Sequence, residues 1–237
     1  MAVVLVTGGS GLLGVNWAIH RRDIDEVHLA LHKKDINIDG VSHHRIDLLD
    51  CDAIHDFMVD ICPDVVIHTA GLTNVDECEA NPQKSQSANT LIAENVARAC
   101  AAHKCKMVHI STDHLFDGNS PMATETSIPA PQNNYAMHKL AAEDAVLEIS
   151  PKAIVVRTNF FGWGPSYRRS FSDQIIDALE ADQQIYSFDD VFFTPLSSTR
   201  LINLIHAVIH RDFSGLIHIG GGERISKYDF TIKLAEA

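Results

Sequence analysis

No apolar run in the sequence approaches the roughly 20 residues that a bilayer span requires; the longest, such as residues 3–6 and 65–67, are a fraction of that. Basic residues are scarce: 19 Lys and Arg face 31 Asp and Glu, for a formal net charge of −12. A polyphosphate backbone or an anionic membrane surface therefore meets no positive field, and nucleic acid and membrane are excluded as expected partners. Cysteine is sparse as well. Cys51, Cys62, Cys78, Cys100 and Cys105 are odd in number and contain no Cys-x-x-Cys pair, which argues against a disulfide framework or a zinc site. Met1-Ala2 offers no basic n-region of a signal peptide. Histidine is plentiful at 14, but no His-Glu-x-x-His helix occurs, and His43 and His44 adjoin on a predicted strand and so face opposite sides; no metal site is expected. These absences predict a soluble, unexported protein of a reducing cytoplasm.

What is present is a chain of 237 residues, 46% hydrophobic, enough for one large α/β domain or a domain with a small lobe. Residues 3–6 read as a buried strand, a glycine-rich turn follows, and Leu12, Leu13, Trp17 and Ala18 mark a helix. Further strands are predicted at 27–31, 44–47, 65–68, 107–110 and 154–157. Asp50 stands at an N-cap ahead of a helix carrying Ile54, Phe57, Met58 and Ile61, and helices are predicted over 82–102 and 135–147. This alternation predicts an α/β fold, a Rossmann-like doubly wound parallel sheet. Past Phe160 it loosens into helices at 171–179 and 201–209, a strand at 216–219, and a capping box, Ser226-x-x-Asp229, opening a last helix.

Thr7-Gly8-Gly9-Ser10-Gly11-Leu12-Leu13-Gly14 satisfies Gly-x-Gly-x-x-Gly directly after a strand and at the opening of a helix, the context that a dinucleotide-binding fingerprint demands. Such glycines permit a tight turn and let backbone N–H groups approach a pyrophosphate at a helix N-terminus. Gly8, Ser10, Gly11, Leu12 and Leu13 are the loop's cofactor-binding candidates. Where an NAD site usually carries an acid for the ribose 2′-hydroxyl, this chain has His32-Lys33-Lys34, cations suited to a 2′-phosphate. NADP is the expected cofactor, and nearby Asp35 keeps NAD open. Asp47 and Leu48, at the end of the third strand, are adenine-side candidates; Asp47 either accepts from the adenine amino group or forms a turn.

Tyr135 and Lys139 stand at i and i+4, on one helix face. A free phenol has a pKa near 10, so a neighbouring cation is expected to bring it into use near neutral pH, and Lys139 is placed to supply that field. The segment Ser111-Thr112-Asp113-His114 follows the fifth strand, where ligands approach such sheets. A hydroxyl there either bonds a substrate carbonyl or caps the strand in a turn.

At these residues the chain resembles an extended short-chain dehydrogenase/reductase and is most similar, within that group, to the dTDP-4-dehydrorhamnose reductase, sugar-nucleotide-binding, family. The matching stretches are the glycine loop at 7–14, His-Thr-Ala-Gly-Leu-Thr-Asn-Val-Asp-Glu-Cys-Glu at 68–79, Asn89, Ser-Thr-Asp-His-Leu-Phe-Asp-Gly at 111–118, Pro-Gln-Asn-Asn-Tyr-Ala-Met-His-Lys at 131–139, and Arg157-Thr158. The resemblance implies a catalytic triad of Thr112, Tyr135 and Lys139. It places Ala70, Gly71, Thr73, Ser111 and Asn159 at the cofactor, and Thr112, Asp113, His114, Phe160 and Arg200 at the substrate. Asn89 either supports Lys139 through water or is a polar helix residue; Arg200 either binds a diphosphate or is plain lobe structure. The implied reaction is reduction of a C4 ketone on a nucleotide-linked 4-keto-6-deoxy sugar, with a homodimer as the candidate assembly.

Three features depart from the pattern. His114 replaces a usual Tyr, Asn-Phe-Phe-Gly-Trp-Gly at 159–164 is more like sugar-nucleotide epimerases, and the Glu typical of sugar dehydratases is missing from position 114. Two alternatives stay open: an epimerase that recycles its cofactor, and a non-catalytic regulatory subunit like the β-subunit of methionine adenosyltransferase. We divide the chain into an NAD(P)-binding domain over 1–160, to which 196–212 returns, and a substrate lobe over 161–237. The chain stops inside its last helix, so the lobe is expected to be incomplete. Trp163, Phe160 and Phe161 are expected to pack beneath it, and Asp76, Glu77 and Glu79 to lie in a solvated loop.

Overall fold

The computed structural model describes residues 1–119 and 121–237. Its elements run β1 (Val3–Thr7), α1 (Leu12–Arg21), β2 (Glu26–Leu31), β3 (Ser42–Arg45), α2 (Cys51–Ile61) and β4 (Val65–His68). Then come α3 (Val75–Ala80), α4 (Pro82–Gln86), a π-turn (Ser87–Leu91), α5 (Ile92–His103), β5 (Lys106–Ile110), α6 (Asn134–Ile149) and β6 (Ile154–Thr158). The remainder is β7 (Phe160–Phe161), α7 (Phe171–Glu180), β8 (Phe192–Phe193), β9 (Leu196–Ser197), α8 (Ser198–His210), β10 (Gly215–Ile219), β11 (Ile225–Ser226) and α9 (Lys227–Glu236).

β1, β4, β5 and β6 are buried on both faces because helices cover both. Seven strands pair in parallel in the order β10-β6-β5-β4-β1-β2-β3. Trp17 of α1 and Leu201, Ile202 and Ile205 of α8 close one side with Val6 and Ile67. Met58 of α2, Val96 and Cys100 of α5 and Val146 of α6 close the other with Leu5 and Val66. The doubly wound Rossmann-like sheet is therefore present. A small cluster of Ile175, Phe193, Ile225 and Phe230 forms a separate core for the C-terminal lobe.

Five local expectations are corrected. β3 ends at Arg45 rather than Asp47, because the Asp47 carboxylate accepts the Leu49 N–H at 2.9 Å and turns the chain out of the strand. The helix over 82–102 is broken at Ser87–Leu91, where the Ile92 N–H reaches back to the Ser87 carbonyl. Asp76, Glu77 and Glu79 sit on α3, which the Asn74 side chain caps; the Glu79 carboxylate takes both the backbone N–H and the side-chain amide of Asn134, tying α3 to the start of α6. The strand at 215–219 is not part of the lobe, since β10 pairs with β6 at the edge of the central sheet. Trp163 lies 67% exposed instead of packed beneath the lobe; only its carbonyl is held, by the Asn16 amide at 2.9 Å.

Candidate active site

The carboxyl ends of β1, β4, β5 and β6 open into one cleft of about 390 Å³, lined at its base by Gly11, Leu12, Leu13, Ala70, Gly71 and Thr73. This is the place where strand order reverses in a doubly wound sheet and where ligands bind. Gly8 holds φ +66°, and a Cβ there would lie 2.8 Å from the Ala70 backbone, so only glycine lets the β1 and β4 ends meet. A Cβ on Gly14 would lie 2.7 Å from the Gly8 carbonyl, which explains how closely α1 docks on its own loop.

Two observations fit a dinucleotide to this cleft. Gly11 caps α1 with no side chain, and no acid stands in the first turn, so its first N–H groups face the cleft without a competing acceptor, as an anion requires. The buried hydroxyls of Ser111 and Thr158, both in the cleft wall, have no hydrogen-bond partner among the described residues; such orphans are costly unless a ligand or water meets them.

Thr112, Tyr135 and Lys139 line the same cleft. The Thr112 Oγ1 accepts the His114 N–H at 3.1 Å and so keeps its own proton for donation, with the Tyr135 phenol as its neighbour. Lys139 Nζ donates to the Ile110 carbonyl at 2.7 Å and to His109 Nε2 at 3.1 Å. Burial brings the ammonium down to about 8, while Glu143 one helical turn on acts to raise it. The phenol does not behave as the sequence suggested. Burial pushes Tyr135 up to about 12, against the Thr112 hydroxyl, which lowers it, and with Asp113 and Cys78 adding to the rise. Tyr135 is therefore a protonated donor at neutral pH.

The other candidates fall into three groups. Asn89, His114, Ser111, Asn159 and Phe160 line the cleft. Within it, Asn89 bonds the Leu72 backbone from both ends of its amide, Nδ2 donating to the carbonyl at 3.0 Å and Oδ1 accepting the N–H at 2.9 Å, which fixes the loop after β4. His114 meets the Tyr135 ring edge-on at 6.2 Å. Asp113 accepts from Asn159 Nδ2 at 3.1 Å and lines a neighbouring cavity of about 690 Å³ that Phe116, Thr124 and Glu125 share with the end of β10.

Ser10, His32, Lys33, Asp47, Leu48 and Arg200 do not line the cleft. His32 and Lys33 are exposed beyond β2, one strand from the glycine loop, whose Gly9 N–H donates to the Ala30 carbonyl. The Ser10 carbonyl accepts the Tyr167 hydroxyl at 2.6 Å, and the Leu48 carbonyl accepts the Asn95 amide. Arg200 is exposed on α8, away from the residues that line the cleft. Besides Lys139, the cleft is lined by Arg168, Arg169 and Lys227, cations which sequence reading missed. The Arg-Arg pair just before the Ser170 capping box was the one available signal.

Fold and site together define a dinucleotide-binding α/β protein of the extended short-chain dehydrogenase/reductase type. The chain belongs to the family described as the RmlD substrate binding domain, whose model matches residues 1–237. It is similar to a dTDP-4-dehydrorhamnose reductase of Clostridium acetobutylicum, with 27% identity, a TM-score of 0.86, and coverage of 99% of this chain and 79% of that one. A dTDP-4-dehydrorhamnose reductase of Bacillus anthracis solved in complex with NADP matches at 26% identity and TM-score 0.84, covering 99% and 80%. The methionine adenosyltransferase 2 subunit beta of Pongo abelii is 28% identical over 248 residues, which is 99% of this chain and 71% of that protein.

Proposed function

We propose that the protein is an NAD(P)H-dependent reductase of a nucleotide-linked 4-keto-6-deoxy sugar, with NADPH preferred. The observation that carries this reading is the convergence of Thr112, Tyr135 and Lys139 in one cleft whose base is the glycine loop. A bound NADPH would supply the hydride. Thr112 would turn its hydroxyl proton from the Tyr135 phenol to the ketone oxygen as a hydrogen bond. Tyr135, held protonated by burial, would give that oxygen its proton as it becomes an alcohol, a step worth roughly 10²–10⁴-fold. Lys139, fixed by His109 and Ile110, would hold the ribose hydroxyls and stabilise the phenolate left behind. Gly8, Ser10, Gly11, Leu12, Leu13, Ala70, Gly71, Thr73, Ser111, Asn89 and Asn159 would form or shape the cofactor site. His32 and Lys33 favour a 2′-phosphate, with Asp47 and Leu48 at the adenine side. Phe160, His114 and Asp113 would shape the sugar site, and residues 161–237, apart from 196–212 and 215–219, would be the substrate lobe.

The test is loss of 340 nm absorbance when NADPH is mixed with a panel of nucleotide-linked keto sugars. Tyr135→Phe should abolish it; a flat trace across the panel with folded protein rejects the reading. The match to a subunit beta of methionine adenosyltransferase favours one second reading, a regulatory subunit of another enzyme. A stoichiometric partner recovered by pull-down, together with a flat trace, would select it.

A further inference from the structure

His68 on β4 and His109 on β5 lie wholly buried in the central sheet, their rings stacked 5.2 Å apart at 21°. Val66, Met107 and Val155 surround them on the same face, so imidazoles here are costly unless their polar atoms are used. Two of the four nitrogens have partners: His68 Nδ1 with Thr7 Oγ1 at 2.8 Å, and His109 Nε2 with Lys139 Nζ at 3.1 Å. The other two, His68 Nε2 and His109 Nδ1, have none among the described residues. Apolar side chains would fill this layer at lower cost. What His109 does for Lys139 is the exception that accounts for it.

The hydrogen-bond pattern fixes both tautomers. Thr7 Oγ1 already accepts the Thr69 and Ala70 N–H groups, which fill both its lone pairs, so its proton goes to His68 Nδ1, and His68 carries its own proton on Nε2. An ammonium has only protons to offer, so His109 accepts at Nε2 and is protonated at Nδ1. Burial and the Lys139 charge hold His109 well below its ordinary value, while Lys139 stays near 8; the proton between them belongs to the lysine. The titratable groups that act with Lys139 are Glu143 on its own helix and His68 and His109 from the sheet, with Tyr135 one turn back on the same helix face. Glu143 is itself forked by Arg157. No carboxylate among the described residues touches Nζ.

We propose that His109 is a positioning residue, whose Nε2 lone pair joins the Ile110 carbonyl in holding the Lys139 side chain charged and aimed into the cleft. The inference rests on the reductase reading for the use made of Lys139, but the link between the two side chains is measurable without turnover. The experiment is an NMR titration of the protein carrying ¹³Cε-lysine, with the Lys139 signal assigned through Lys139→Met. His109→Phe keeps the ring and removes the acceptor, and should move the Lys139 titration down by about one pH unit. His109→Gln restores an acceptor oxygen and should return most of the shift. The basic limb of the kcat profile should move in the same order. If His109→Phe does not fold, His109→Val, matching the neighbouring strands, takes its place. A folded variant lacking the acceptor whose Lys139 titrates where the parent's does overturns the proposal. An absence of turnover with the NMR shift intact would instead overturn only the reductase reading.

Discussion

The carboxylate of Glu143 receives the Arg157 guanidinium through Nε, 3.0 Å from each oxygen, and through Nη2, 2.7 Å from Oε2. Both side chains are almost wholly buried. The pair joins α6, which carries Tyr135 and Lys139, to β6, which leads into Asn159 and Phe160. Tyr135, Lys139 and Glu143 follow one another at i, i+4 and i+8, so one helix face presents the donor, the cation and the anchor.

Desolvating two charges is offset only by close geometry, and removing one partner leaves the other charge buried at a cost of about 3–5 kcal/mol. Glu143→Ala should therefore lower the unfolding free energy by about 3 kcal/mol in urea. Glu143→Gln combined with Arg157→Met should lose less than Glu143→Ala alone. A loss typical of exposed positions, about 0.5 kcal/mol, would show that the pair does not hold α6.

Acid should destabilise the fold through the stacked histidines. His68 is pushed down to about 3 by burial and by the Lys139 charge, from an ordinary 6.5. As pH falls below 6.5 the unfolded chain binds a proton that the folded chain does not, so stability is full above 6.5 and declines toward 3. From pH 7 to pH 5 this residue should account for about 2 kcal/mol. Urea midpoints measured at both pH values should converge in His68→Asn relative to the parent. His109 acts in the same direction, so the variant should retain part of the slope; an unaltered slope would contradict the assignment.

Thr112 offers a sharper test of the chemistry than of the fold. Its Oγ1 holds the His114 N–H and leaves its proton for the substrate. Loss of one such donor costs roughly 10²–10³-fold in turnover elsewhere, and Thr112→Ala should fall in that range. Thr112→Ser keeps the hydroxyl and should stay within about tenfold of the parent. Equal losses in the two variants would show that the hydroxyl does not carry the effect and would reject the donor role.

The central sheet was legible because parallel strands buried on both faces are written as short apolar runs, and β1 and β4 stand almost where those runs lie. Gly8, Thr112, Tyr135 and Lys139 were legible because each sits in a local pattern: a glycine fingerprint, a Ser-Thr-Asp segment, an i,i+4 pair. The π-turn at Ser87–Leu91 was not, since its one-residue insertion serves a contact between Asn89 and Leu72, 17 residues apart. The His68–His109 stack joins adjacent strands through a register that no local window contains. α6 hid its inner face for another reason: Lys139 and Glu143 are buried beside Ala136, Ala142 and Val146, so polar residues blur the apolar stripe. Arg200 stayed open between a diphosphate ligand and plain structure because a helical arginine after Thr-Pro reads the same whichever way the helix turns.

Lys227 and Arg200 make opposite predictions about where the substrate's charge is held. Lys227 Nζ stands 3.6 Å from the centre of the Phe193 ring and 4.7 Å from that of Phe171, in the cleft wall, with no ion-pair partner among the described residues. Two aromatic faces steady a cation without neutralising it. Arg169, by contrast, is paired with Asp177, and Arg168 meets only the Thr73 hydroxyl. Burial lowers the Lys227 ammonium and Asp113 raises it again. An anionic group on the substrate should therefore seek Lys227 and Arg168, distant from the reacting ketone. Because such a contact is made equally before and during the reaction, its loss should appear in KM and spare kcat. Lys227→Met should raise KM about tenfold for a nucleotide-linked sugar while leaving kcat within about twofold, and Arg200→Ala should change neither. An unchanged KM in Lys227→Met, or a rise in Arg200→Ala, would return the anion site to α8.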